Sequence, residues 1–227
     1  MTRVVHIAAT GGRSLHGRLF GREPRRPGVL FIHGLHSTQA GYGERAEALA
    51  EQLGAVCLTF DLGGHGESEG AQAALSLADH IGDVVAAYDR LVAECDVDPA
   101  RVGVAGASYG GYLAAVLTGR RPIARLAIRA PALYADADVP VPPAARRHRV
   151  DAGRPNAALD AVRAFTGPFL VVESGRDSVV PADMVHAYLR AAPGARHVVM
   201  AEAEHALLEP AWRTEFLAHL LDFFRGL

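Results

Sequence analysis

The sequence predicts a single α/β domain built on a mostly parallel central sheet of about eight strands, with helices on both faces. Short apolar runs rich in Val, Ile and Leu alternate along the chain with longer stretches whose apolar residues recur every three or four positions, the patterns of buried strands and amphipathic helices. Such alternation sets successive strands parallel in one sheet and leaves helices to cover its faces. With 227 residues, half of them apolar, the chain can bury one sizeable core.

The chain opens on a hairpin, with strands at 3–8 and 15–20 around the turn Thr10-Gly11-Gly12. After a basic, proline-containing stretch, Gly28-Val29-Leu30-Phe31-Ile32 reads as a fully apolar strand ending at His33-Gly34. A helix near 43–53 then precedes a strand at 55–60, which ends on Asp61. Ser76 and Asp79 have the spacing of a reciprocal helix cap, and Leu77, Ile81, Val84, Val85, Tyr88 and Leu91 form one apolar face behind them. Asp98-Pro99 is expected to end that segment before a strand at 101–105. Further strands are expected at 124–130, 169–172 and 196–200, with a helix near 182–191 and a last one at about 209–224 that buries Trp212, Phe216, Leu217 and Leu220. The stretch 134–164, rich in proline and arginine, reads as a small irregular lid within a single domain spanning 1–227, too short to bury a core of its own.

Composition narrows the chemistry. The formal net charge of −2 gives no electrostatic reason to expect nucleic acid or an anionic membrane as partner. All 23 basic side chains are arginines, which excludes lysine Schiff-base chemistry and a Gly-x-x-x-x-Gly-Lys phosphate loop. Met1 to Ile7 lacks the continuous apolar run and small-residue cleavage site of a signal peptide, and no run approaches membrane-spanning length. Cys57 lies in an apolar run and Cys95 near a helix end, so a disulfide framework is not expected. These features lead to the expectation of a cytoplasmic protein acting on a small molecule. They leave open whether it is a monomer or a homodimer.

The chemistry concentrates at Gly106-Ala107-Ser108-Tyr109-Gly110. Here a serine stands between an apolar strand and the apolar helical run Tyr112-Leu113-Ala114-Ala115-Val116-Leu117, the arrangement of a nucleophile elbow. A serine hydroxyl attacks well only when a base takes its proton and an acid orients that base. Asp177 follows the strand Phe169-Leu170-Val171-Val172, and His205 lies just beyond the strand ending at Met200. Ser108, Asp177 and His205 therefore all fall where side chains converge at the carboxyl edge of a parallel sheet. For the base, His186 and His219 fall inside expected helices and His197 at a strand start; for the acid, the rivals are Asp183, Asp136 and Asp138.

With these motifs the chain resembles the α/β-hydrolase fold superfamily over nearly its full length. His33-Gly34 resembles the turn after the third strand of that superfamily, and Asp61-Leu62-Gly63-Gly64-His65-Gly66-Glu67-Ser68 the glycine-rich turn after its fourth. The resemblance implies Ser108 as nucleophile, His205 as general base and then acid, Asp177 as orienting carboxylate, and the backbone N–H groups of Leu35 and Tyr109 as the oxyanion hole. It also implies acyl transfer through an acyl-serine on a small-molecule ester or thioester, with no cofactor. The elbow is also similar to that of the prolyl oligopeptidase family, so a peptidase or amidase is the alternative, and a non-catalytic binding protein on the same scaffold is a third. His33, His36 and His65 match no strong metal-ligand spacing, so no metal is expected. Arg146, Arg147 and Arg149 could grip a substrate carboxylate, but a basic run is more simply a solvated lid surface.

Overall fold

The computed structural model describes residues 2–21, 26–94, 96–142 and 156–227. Its strands are β1 (Thr2–Ala8), β2 (Ser14–Phe20), β3 (Arg26–Ile32), β4 (Val56–Phe60), β5 (Val97–Ala107), β6 (Arg125–Arg129), β7 (Phe169–Ser174) and β8 (Arg196–Met200). They form one eight-stranded sheet in the order β1-β2-β4-β3-β5-β6-β7-β8. Only β2 runs against its neighbours β1 and β4; every other pairing is parallel. The mostly parallel sheet expected from the sequence is thus the observed one.

Period-two alternation sorts the core into two layers. On β3, Leu30 and Ile32 face one cluster while Val29 and Phe31 face the other. On β7, Phe169 and Val171 separate in the same way from Leu170 and Val172. The first cluster is covered by α2 (Leu77–Val92), α3 (Tyr109–Thr118), α4 (Ala157–Ala164) and α5 (Ala182–Ala191), the second by α1 (Gly43–Leu53) and α6 (Pro210–Phe224). Helix α3 is buried on every side, from Tyr109 to Leu117, as its unbroken apolar sequence requires. Helix α2 starts on the expected reciprocal cap, with Asp79 N–H donating to Ser76 Oγ at 3.2 Å and Ser76 N–H to Asp79 Oδ2 at 2.8 Å.

Three details depart from the sequence reading. Strand β5 begins at Val97 and so includes Asp98-Pro99; Val97 pairs with Arg26, the register then shifts, and regular pairing resumes at Val102 with Gly28. The proline, which lacks an N–H, falls in the irregular stretch between. Within the expected lid, Asp136–Asp138 is a 3-10 turn and Ala157–Ala164 is the helix α4, which packs against α3 and α5 and buries Ala158, Leu159 and Val162. Its cap is Asn156, whose side-chain oxygen accepts from the Ala158 and Leu159 N–H groups. Residues 143–155, with Arg146, Arg147, His148 and Arg149, lie outside the described residues. On α6 the buried residues are Phe216, Leu220, Phe223 and Phe224, while Trp212 and Leu217 are only partly covered.

Cys57 is fully buried, and desolvation pushes its thiol pKa up, away from reactivity. Cys95 lies outside the described residues. Among the described residues no helix is long and apolar enough to cross a membrane.

Candidate active site

Strand β5 ends at Ala107 and α3 begins at Tyr109, so Ser108 makes the whole turn, at φ 54° and ψ −119°. Positive φ is strained for a residue with a side chain, on the order of 1–3 kcal/mol. Hydrogen bonds hold it there: Ser108 N–H donates to the Arg129 carbonyl at 2.9 Å, and the Ser108 carbonyl accepts from the N–H groups of Gly111, Tyr112 and Ala132. The flanking glycines permit the close approach. A Cβ on Gly106 would stand 2.2 Å from the Gly110 carbonyl oxygen, and one on Gly110 would stand 2.1 Å from that of Ile32.

Above this turn His205 Nε2 lies 3.1 Å from Ser108 Oγ, and His205 Nδ1 lies 2.8 Å from Asp177 Oδ2. The other carboxylate oxygen of Asp177 accepts from the N–H groups of Val179 and Val180, each at 2.8 Å. Burial works to raise the pKa of Asp177, but the His205 and backbone hydrogen bonds outweigh it and hold the carboxyl below the usual carboxylate range. An ionised Asp177 has no proton to give. Nδ1 of His205 must therefore carry the hydrogen, and the lone pair on Nε2 faces the serine.

The rival residues lie elsewhere. Nε2 of His186 and Nε2 of His197 both face Glu173 Oε2, and His219 lies beside Glu215 on α6. Asp136 accepts from the Ala157 N–H, Asp138 sits in the 3-10 turn, and Asp183 lies in the first turn of α5.

The loop after β3 is held by imidazoles. His33 Nδ1 donates to the Gly34 carbonyl at 2.7 Å, and its Nε2 accepts from the Leu62 N–H at 3.0 Å. Burial lowers its pKa to about 4 against smaller opposing contributions, so the ring is neutral. With no cis peptide in the described chain, fixing the Gly34 carbonyl turns the Leu35 N–H the opposite way. Gly34 also lies against the elbow, where a Cβ would be 3.5 Å from Ser108 Cβ. The Leu35 carbonyl accepts from Gln72 Nε2 at 2.9 Å and lies 2.6 Å from His65 Nε2. Below, His80 Nε2 donates to the Gly63 carbonyl and its Nδ1 accepts from the Tyr109 hydroxyl at 2.8 Å. Gln72 and His80 carry no motif in the sequence; only the fold brings them to these partners. His36 is exposed, apart from the buried His33 and His65.

The family model described as serine aminopeptidase, S33 matches residues 23–154, more than half the chain and including Leu35, Ser108 and Tyr109. The chain belongs to this S33 family of α/β-hydrolases. Among relatives of this S33 protein, the uncharacterized protein Rv2307c of Mycobacterium tuberculosis is 32% identical over 176 residues, 77% of this chain and 60% of that protein. The chain thus spans 60% of the length of the curated relatives it matches. Two solved structures share the fold: the α/β-hydrolase GrgF from Penicillium sp. sh18, at TM-score 0.78 and 15% identity over 100% of this chain and 98% of that one, and the enol-lactonase from Burkholderia xenovorans LB400, at TM-score 0.73 and 20% identity over 96% and 99%.

Proposed function

We propose that this S33-family chain is a serine hydrolase that cleaves carboxylic esters or thioesters through an acyl-serine. The observation that carries the reading is the hydrogen-bonded chain from Ser108 Oγ through His205 to Asp177. In it, Nε2 of His205 takes the hydroxyl proton as Oγ attacks the acyl carbon, and the Asp177 carboxylate stabilises the imidazolium that forms. The N–H groups of Leu35 and Tyr109 act as donors to the developing oxyanion, each worth about 3 kcal/mol of transition-state stabilisation. His205 then hands its proton to the leaving alkoxide or thiolate. Water, deprotonated by the same imidazole, frees the acid and restores Ser108.

One structural neighbour is an enol-lactonase, and a lactone is an internal ester, which supports the ester reading. The family description names aminopeptidases, which favours a second reading, cleavage of aminoacyl amides. A panel of nitrophenyl esters, acyl thioesters and aminoacyl amides, run on the wild type and Ser108→Ala, separates the two. The ester reading expects ester or thioester turnover, together with labelling by a fluorophosphonate, both abolished in Ser108→Ala. Turnover that survives in pure Ser108→Ala sinks the mechanism. Faster turnover of amides than of esters moves the chain to the second reading, and an unlabelled Ser108 points to a binding protein.

A further inference from the structure

Strand β6 reads Arg125-Leu126-Ala127-Ile128-Arg129, and Arg129 ends it inside the protein with only 6% of its surface exposed. Among the described residues no carboxylate stands within ion-pair distance of this guanidinium. A buried cation without an ionic partner is costly, and an apolar side chain would fill such a site more cheaply. Its two terminal nitrogens are instead spent on hydrogen bonds, while Nε is buried without one. One terminal nitrogen donates to Ser174 Oγ at 2.7 Å and the other to the His205 carbonyl at 2.8 Å, while the guanidinium lies over the Phe216 ring, 5.6 Å from its centroid.

Each contact reaches a different segment of the site. The Arg129 carbonyl accepts from the Ser108 N–H. Ser174 ends β7, and its own carbonyl accepts from the Asp177 N–H at 3.2 Å. His205 is the residue facing both. The next residue, Ala130, is held at φ 42°, its N–H donates to the Val172 carbonyl, and Ala132 N–H donates to the Ser108 carbonyl. The end of β6 is therefore wrapped round the elbow at a conformational cost of its own.

We infer that Arg129 is a positioning residue for the acyl-transfer centre, a rigid fork that locks the nucleophile, acid and base segments into one register. The inference rests on the acyl-transfer reading. Arg129 does not touch the reacting atoms: it acts through the His205 backbone, the Ser174 hydroxyl and its own peptide. A planar guanidinium suits this, because its two terminal nitrogens diverge at a fixed angle that an ammonium cannot reproduce.

The test compares Arg129→Met, Arg129→Lys and Ser174→Ala with the wild type. It measures kcat and KM for a nitrophenyl ester, the melting temperature, and the low-field proton resonance of the His205 Nδ1–H. In Arg129→Met, kcat falls about 100-fold while KM stays within about three-fold, because misplacement of about an ångström costs on that order; the low-field proton also shifts or broadens well below the melting temperature. Arg129→Lys recovers part of kcat, and Ser174→Ala loses several-fold with the fold intact. A folded Arg129→Met with wild-type kcat and an unmoved resonance overturns the inference. So does a rise in KM alone, which would make Arg129 a substrate contact. Should Arg129→Met not fold, unchanged kcat and resonance in both Arg129→Lys and Ser174→Ala overturn it equally. A wild type inert to every acyl substrate and to fluorophosphonate defeats the acyl-transfer reading instead. The resonance still reports whether Arg129 orients His205 in that case.

Discussion

His33 and His205 stand on opposite sides of the elbow and show two uses of one side chain. Both ring nitrogens of His33 are taken by backbone groups, Gly34 C=O and Leu62 N–H, and burial holds the ring neutral. Only one nitrogen of His205 is tied, to Asp177, and the other faces a hydroxyl. The carboxylates divide in the same way. Against burial, which works to raise its pKa, Asp177 is held below its usual range by its hydrogen bonds to His205 and to backbone N–H groups. Burial raises the pKa of Asp83 despite Arg13, which grips it through two bonds, and the Gly63 N–H. A histidine or aspartate whose polar atoms are all spent on the fold serves the scaffold, and one left with an atom aimed at a hydroxyl can serve chemistry.

The largest expected effect breaks the working side. Asp177→Asn keeps the shape but lets Nδ1 of His205 accept rather than donate, turning the wrong nitrogen to Ser108. A fall in kcat of about 10⁴ is expected, with a melting temperature close to that of the wild type. Wild-type kcat in Asp177→Asn would show that His205 works without its acid.

The scaffold side should fail in the opposite sense. Asp83→Ala strands Arg13 and the Gly63 N–H, and loss of one partner from a buried pair costs about 3–5 kcal/mol of stability. Urea unfolding should show that loss, while kcat per folded molecule holds. A stable Asp83→Ala with reduced kcat would move Asp83 across the divide.

Acid sharpens the contrast further. His33 has a folded pKa of about 4 against 6.5 in a free chain, so between those values the unfolded state binds the extra proton. Its contribution is whole above pH 6.5 and is lost as pH falls toward 4. At pH 5 that amounts to about 2 kcal/mol, measurable as a shift in the urea midpoint. In His33→Gln this part of the acid slope should vanish; an unchanged slope would assign it to other groups.

The same division explains what the sequence made legible. Ser108, Asp177 and His205 each follow a strand, and parallel strands deliver their carboxyl ends to one edge. Ser76 and Asp79 lie three residues apart, so the α2 cap is a local signal. Arg129, Gln72 and His80 are different, because their partners lie 76, 37 and 29 residues away in sequence and no periodicity encodes them. Helix α4 hid in a proline- and arginine-rich stretch, since eight residues carry little more than two turns of pattern. Pro99 read as an end to structure, and only the irregular pairing beside β3 shows how β5 accommodates it.

The smallest effect concerns the helix that carries His80 and Asp83. In Ser76→Ala, α2 loses one side of its reciprocal cap: Asp79 N–H loses its acceptor while the backbone N–H of residue 76 still reaches the Asp79 carboxylate, and Asp79 also loses the hydroxyl bond that does most to lower its pKa. At neutral pH the expected cost is about 1 kcal/mol, or roughly 2–4 °C in melting temperature for a domain of this size. Because the folded pKa of Asp79 is depressed, its share is present above the ordinary carboxylate value of 3.8 and is lost as pH falls through the lower folded one. The gap between wild type and Ser76→Ala should therefore begin to narrow only below about pH 3.8, beneath the range where His33 acts. If α2 is scaffold alone, kcat at 25 °C is unchanged. A ten-fold drop without further loss of stability would mean that the bond from Tyr109 to His80 transmits the position of α2 to the elbow.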